Sequence, residues 1–225
     1  MAVSSSMNLF RITGDLVHCV SIFILIHKMR KTRSCTGISR KTLELYALVF
    51  VTRYLDLLTG GYFESILTIY NTVLKLLFLA STFYCVYLLR VKYRHTYDRS
   101  HDTVRVSILL GASALLALIF PQRYSVLEIL WSFSQFLEAV AIFPQLWLLR
   151  RTGEVENLTS HYIFCLGAYR ACYVLNWIWR FVTDNTYRGQ YVTWTAGLLQ
   201  TSLYVDFFYY YLKYKKQGRA LKLPP

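Results

Sequence analysis

Residues 16–39, LVHCVSIFILIHKMRKTRSCTGIS, and residues 136–159, FLEAVAIFPQLWLLRRTGEVENLT, align without a gap at an offset of 120. The match goes beyond shared hydrophobicity. Val20, Ile22 and Phe23 fall on Val140, Ile142 and Phe143. Arg30, Lys31 and Thr32 fall on Arg150, Arg151 and Thr152, and Ile38 and Ser39 on Leu158 and Thr159. Each copy starts in an apolar run and passes into a basic turn, so both cross a membrane in the same direction. A parallel repeat with an odd number of helices per unit implies three helices, a linking fourth and three more.

Working outward, the whole chain fits that reading. Its 225 residues are 55% hydrophobic and 17% aromatic, with only 10 Gly and 4 Pro, which excludes a disordered or collagen-like chain. Cys19, Cys35, Cys85, Cys165 and Cys172 are too few and too irregularly spaced for a secreted disulfide scaffold or a metal site, and read as small apolar fillers. A net charge of +13 suits a soluble nucleic-acid binder, but a mean hydropathy of +0.34 with long apolar runs does not.

Crossing ~30 Å of hydrocarbon takes about 20 mostly apolar residues. Seven runs qualify, at roughly 8–27, 43–59, 66–89, 104–120, 126–149, 161–182 and 191–212. No small-residue cleavage site follows the first, which reads as a retained helix. The chain is thus expected to be an all-α multi-pass membrane protein, one domain over residues 1–225. Repeat one covers about 8–89, the linker helix about 104–120, repeat two about 126–212 and the tail 213–225. Val106–Phe120, within the linker run, carries no ionisable residue, as suits a helix serving mainly as a linker.

Eighteen basic residues lie in the connections 1–2, 3–4 and 5–6 and in the tail, against Arg123 and Arg188 on the other side. The positive-inside rule puts the eighteen in the cytosol, with the N-terminus lumenal and the C-terminus cytosolic. Topology therefore accounts for the clusters without a nucleic-acid partner. The sequon at Asn157 falls on the cytosolic side and is expected to be unmodified.

Charges remain inside the spans, each costing about 2–3 kcal/mol at a helix centre unless it faces a partner or water. Their spacing is helical. Arg11, Asp15 and His18 are i, i+4, i+7, while Glu128, Trp131, Gln135 and Glu138 repeat i, i+3, i+7, i+10. Arg170, Tyr173, Trp177 and Arg180 follow the second pattern, and Arg53 and Asp56 are i, i+3. Each helix turns one polar stripe inward. Arg180 and Glu128 near span ends also suit snorkelling, Arg53–Asp56 a structural pair, and Lys75 with Asn71 a helix tie. Together, Arg11, Arg53 and Arg180 lie toward the lumenal ends at a depth shared by Asp56, Glu128 and Trp131. That describes a cationic, lumen-open cavity with an acidic, aromatic corner. Guanidinium forks grip carboxylates, and an acidic pair beside an indole suits an ammonium. A short acidic peptide end with one basic residue fits both.

These residues carry a family resemblance. Met7 to Arg11, Thr52-Arg53-Tyr54-Leu55-Asp56, Leu127-Glu128-Ile129-Leu130-Trp131, Phe143-Pro144-Gln145-Leu146, the run from Val174 to Phe181, and Asp206-Phe207-Phe208-Tyr209 resemble motifs of the KDEL receptors, the endoplasmic-reticulum retention-signal receptors. The resemblance covers essentially the whole chain from Met7. It implies a fold related to the PQ-loop and SWEET transporters, and a receptor cycling between endoplasmic reticulum and cis-Golgi membranes. Such a receptor binds Lys/His-Asp-Glu-Leu C-termini in the acidic Golgi and returns in coat carriers. In that reading Arg53 and Tyr54 hold the terminal carboxylate, Arg11 and Arg180 the acidic side chains, and Asp56, Glu128 and Trp131 the basic residue, with Tyr173 and Trp177 lining the site. His18 resembles the family's pH sensor, with Glu138 and Tyr169 its hydrogen-bonded companions.

The resemblance implies no cofactor beyond regulatory protons, no metal and no catalysis. The partners it implies are signal peptides, membrane lipid and, through Lys215, Lys216, Arg219, Lys222 and Asp206, coatomer. The connection at 60–66 is longer than the family's, and the tail departs from its Lys-Lys pattern. The second reading is a small-solute transporter of the PQ-loop class, which Pro144-Gln145 suits but three arginines do not. A signalling receptor and an intramembrane enzyme rank below it.

Overall fold

The structure, a computed structural model, describes residues 7–58, 60, 62, 64–121, 123–184, 191–217 and 221–223. Every expected span is helical. Helix α1 is Leu9–Thr32, α2 Arg40–Arg53, α3 Ile66–Tyr87, α4 Val106–Ile119, α5 Val126–Ala141, α6 Phe143–Thr152, α7 Asn157–Thr183 and α8 Tyr191–Lys216. Three continuous stretches, Leu9–Thr32, Ile66–Lys92 and Val126–Thr152, are long and apolar enough to cross a membrane unaided. At 14 residues each, α2 and α4 rise about 21 Å, less than a hydrocarbon layer, so they lean on their neighbours and flanking turns. Leu55–Leu58 extends α2 as a 3-10 turn. Lys213, Lys215 and Lys216, expected in a separate tail, form the last turn of α8.

Local sequence sets the ends. Asn8, Ser39 and Ser65 cap α1, α2 and α3 by accepting the backbone N–H three residues on. Pro144 divides α5 from α6, since it lacks the N–H for an unbroken ladder and its ring crowds the carbonyl four residues back. Gly153, at φ 76°, ends α6 in a conformation a β-carbon would strain.

Helix α1 shows how the stripes are used. Leu16, Val20 and Phe23 face outward, while Asp15, His18, Ser21 and Leu25 are buried. Its main partner is α7, and α2 packs chiefly on α5. The third helix of each expected unit joins its own second helix, α3 on α2 and α8 on α7, while α4 touches mainly α5. Small residues allow the tightest approaches, as expected where packing rather than water exclusion joins helices. A β-carbon on Gly197 would lie 2.3 Å from Trp177, and one on Gly167 2.5 Å from Phe208.

The end of the bundle carrying the basic connections is laced shut. Gln145, in the first turn of α6, accepts the Ser39 N–H at 2.8 Å and donates to the Gly37 carbonyl at 2.8 Å. Its own N–H donates to the Thr42 hydroxyl. Buried Asp102 accepts from Ser39 at 3.0 Å and Tyr97 at 2.7 Å, so connections 1–2 and 3–4 share one carboxylate. Burial and that same carboxylate hold the Tyr97 phenol above its ordinary range. Strand β1, Glu154–Val155, pairs antiparallel with β2, Leu221–Lys222, and the Leu223 N–H donates to the Gly153 carbonyl.

Candidate functional site

At the opposite end, α1, α2, α3, α5, α7 and α8 enclose a cavity of about 300 Å³. Arg53, Tyr54, Trp131, Tyr173 and Trp177 line it, with His18, Glu138 and Tyr169. These eight are the sequence-derived site residues that the fold brings together. Arg11 in the first turn of α1, Asp56 after α2, Glu128 in the first turn of α5 and Arg180 in the last turn of α7 belong to the same end of the bundle. They are not among the residues lining that cavity.

The centre is a carboxylate shared by three donors. Glu138 is bound by Arg53 and Arg170, and Tyr169 Oη donates to its Oε1 at 2.9 Å. Arg53 is aimed by Ser134, whose hydroxyl accepts from Nε at 3.1 Å and whose carbonyl accepts from Nη2 at 2.9 Å. Ser134 in turn donates to the Trp131 carbonyl. Glu138 and Arg170 are almost fully buried, so neither charge is tolerable without the other. An Arg53–Asp56 pair, one sequence option, is not formed. Arg53 reaches instead across to α5, and Asp56 is paired with Lys75. Asn71, the other half of the suggested Lys75 tie, accepts from Arg11 at 2.6 Å.

His18 sits beside this network in an aromatic sandwich. Its ring stacks on Tyr169 at 4.1 Å and on Phe78 at 4.2 Å, with Phe50 tilted at 6.1 Å. The charged groups that line the cavity with it are Glu138, Arg170 and Arg53. One turn away on α1, Asp15 accepts hydrogen bonds from the Tyr70 and Tyr173 hydroxyls, which orients Tyr173 at the cavity wall.

Arg170, Ser134 and Asp15 are site components to which the sequence reading gave no role. Arg170 and Asp15 were visible as ionisable residues on the inward stripes, and a mid-span arginine without a lumenal position was the available signal. Ser134 left no signal, because a serine in a span is ordinary until its neighbour is known.

Of the residues expected to serve trafficking, the described ones lie at the laced end. Asp206 is bound by Arg150 beside a groove of about 170 Å³ between α6 and α8, closed by Leu223. Lys215 rests over the Tyr211 ring at 5.6 Å, Lys216 is exposed, and Lys222 is on β2. Arg219 and Arg188 lie outside the described residues. Among the described residues no cluster of His, Cys, Asp or Glu has the grouping of a metal site.

A helical membrane protein with a polar, aromatic cavity at one end and a closed base at the other is a ligand-binding membrane protein. Comparison with known sequences narrows the class. Residues 34–180 match the model of a family described as ER lumen protein retaining receptor. An ER lumen protein-retaining receptor of Entamoeba histolytica is 49% identical over 96% of this chain and 99% of its own length. ER lumen protein-retaining receptor 2 of Homo sapiens is 49% identical over 97% of the chain and its own full length. Petunia hybrida has one at 47% over 97% of the chain. The chain belongs to the ER lumen protein-retaining receptor family. That membership makes it a receptor of the endoplasmic-reticulum system, not an enzyme, and offers the transporter reading no support.

Proposed function

We propose that this protein captures the Lys/His-Asp-Glu-Leu C-termini of escaped endoplasmic-reticulum residents in the acidic cis-Golgi and releases them at neutral pH in the endoplasmic reticulum. Arg53 and Tyr54 hold the terminal carboxylate, Arg11 and Arg180 the acidic side chains, and Asp56, Glu128 and Trp131 the basic residue. Tyr173 and Trp177 form the walls. The observation that carries this reading is that Arg53 and Arg170 line an aromatic cavity with a single carboxylate, Glu138, between them, which leaves one positive charge in excess. That chemistry suits a ligand rich in carboxylates.

His18 serves as proton sensor, with Glu138 and Tyr169 as companions. An imidazole with an ordinary pKa of ~6.5 changes charge between the two compartments. The protonated form favours a net-negative peptide, so affinity falls as pH rises through the imidazole titration, and bound peptide in turn favours the proton. The chain forms one domain of seven spans in a 3+1+3 arrangement, with the N-terminus lumenal and the tail cytosolic. The exchange of partners between units, α1 with α7 and α2 with α5, supports the parallel repeat. The basic connections support the orientation. Lys215, Lys216, Arg219, Lys222 and Asp206 form the face offered to coatomer.

The test is peptide binding to purified receptor at pH ~5.5 and ~7.2, bracketing the imidazole range, with free and amidated C-termini. Tight binding of the free acid alone, at the lower pH alone, is the expected result. Equal binding of both termini removes the carboxylate clamp.

A further inference from the structure

We propose that Lys75 is an internal competitor for the ligand's basic residue, so that peptide capture exchanges one ion pair at Asp56 for another. The proposal rests on the peptide-receptor reading above and adds a residue that sets selectivity at the peptide's first position. Lys75 projects from α3, one turn beyond the Asn71 that holds Arg11. Its ammonium forms an ion pair with Asp56 Oδ2 and lies 5.8 Å from the centroid of the Tyr54 ring. A lysine ammonium on a carboxylate beside an aromatic face is the arrangement that a peptide lysine would itself seek there.

Exposure makes exchange feasible at this pair and not at its buried counterpart. The Asp56 side chain is 57% exposed and that of Lys75 25%, whereas the Glu138 side chain, which occupies Arg53 and Arg170, is 4% exposed. A solvent-reached pair contributes little to stability and is broken at small cost. Lys75 has a long, rotatable stem and can withdraw its charge into water once a second ammonium arrives. A peptide without a basic first residue has nothing to exchange and leaves the Lys75–Asp56 pair in place. The receptor thus reads the basic residue as a difference between two ammonium groups.

The experiment measures dissociation constants at pH ~5.5 for peptides ending Lys-Asp-Glu-Leu and Ala-Asp-Glu-Leu, against the wild type, Lys75→Met and Lys75→Arg. Each is repeated on an Asp56→Asn background. Losing the competing pair should tighten Lys75→Met for the lysine-headed peptide by up to about fivefold, with the alanine-headed peptide within about twofold of wild type. Lys75→Arg should keep wild-type selectivity, and Asp56→Asn should erase the gain. Equal changes for both peptides, or a gain in Lys75→Arg matching that of Lys75→Met, overturn the competitor role while the receptor reading stands. Wild-type receptor that binds neither peptide overturns both. A merely structural lysine would alter both affinities together and leave their ratio unmoved.

Discussion

His18 and Glu138 fall on each other when the two aligned segments are laid together, yet their surroundings are opposite. Glu138 is gripped by two guanidiniums and a phenol. His18 is pressed between Tyr169 and Phe78, held by ring faces. Tyr169 touches both, donating its hydroxyl to the carboxylate and its face to the imidazole. The two places correspond in sequence, and the chemistry at each comes from what the facing helices contribute. The carboxylate is fixed by charge, which binds strongly and cannot be withdrawn cheaply. The imidazole is fixed by shape, between two ring faces.

The contrast breaks most violently at the carboxylate. Glu138→Ala strands Arg53 and Arg170 without their shared partner, and should destabilise the protein by about 3–5 kcal/mol. Thermal unfolding in detergent reads this as a large fall in melting temperature or loss of folded yield, and an unchanged melting temperature contradicts the network. At the histidine the expected loss is functional. His18→Phe keeps the ring stack and removes the ionisable group, so folding should survive within about 1 kcal/mol. Peptide affinity should then become the same at pH ~5.5 and ~7.2. A retained pH profile would move the sensor elsewhere. Ser134→Ala removes one of the groups aiming Arg53 and should cost about 1 kcal/mol, seen as a small melting shift. At the bottom of the scale, Asp206→Asn breaks an exposed pair with Arg150 and should change stability by less than about 1 kcal/mol in the same assay. A large shift there would mean that the tail groove contributes to folding.

The helices were legible in the sequence because lipid-facing and core-facing residues differ in kind and recur with the helical period. Leu16, Val20 and Phe23 against Asp15, His18 and Ser21 is such a pattern, and it also placed the inward stripes. Partner choice was not legible. Arg53 sits three residues from Asp56, and spacing alone favours that pair, but α2 ends at Arg53 and Asp56 turns toward α3. The carboxylate Arg53 meets lies 85 residues away, on a helix whose rotation no local pattern fixes. Arg170 was hidden for the same reason, since its counterion belongs to α5. Pro144-Gln145 resembles a transporter signature. The proline does break the helix, but what Gln145 holds, the turn before α2, required the fold.

That glutamine has a consequence for how cargo leaves. Gln145, Ser39 and Asp102 rivet the start of α6 to connections 1–2 and 3–4, so hydrogen bonds close the base of the molecule in this structure. On the receptor reading proposed above, an occupant of the cavity departs by the route it entered. On that same reading, direction comes from carrying the whole molecule, loaded, to a place where holding on is no longer favourable.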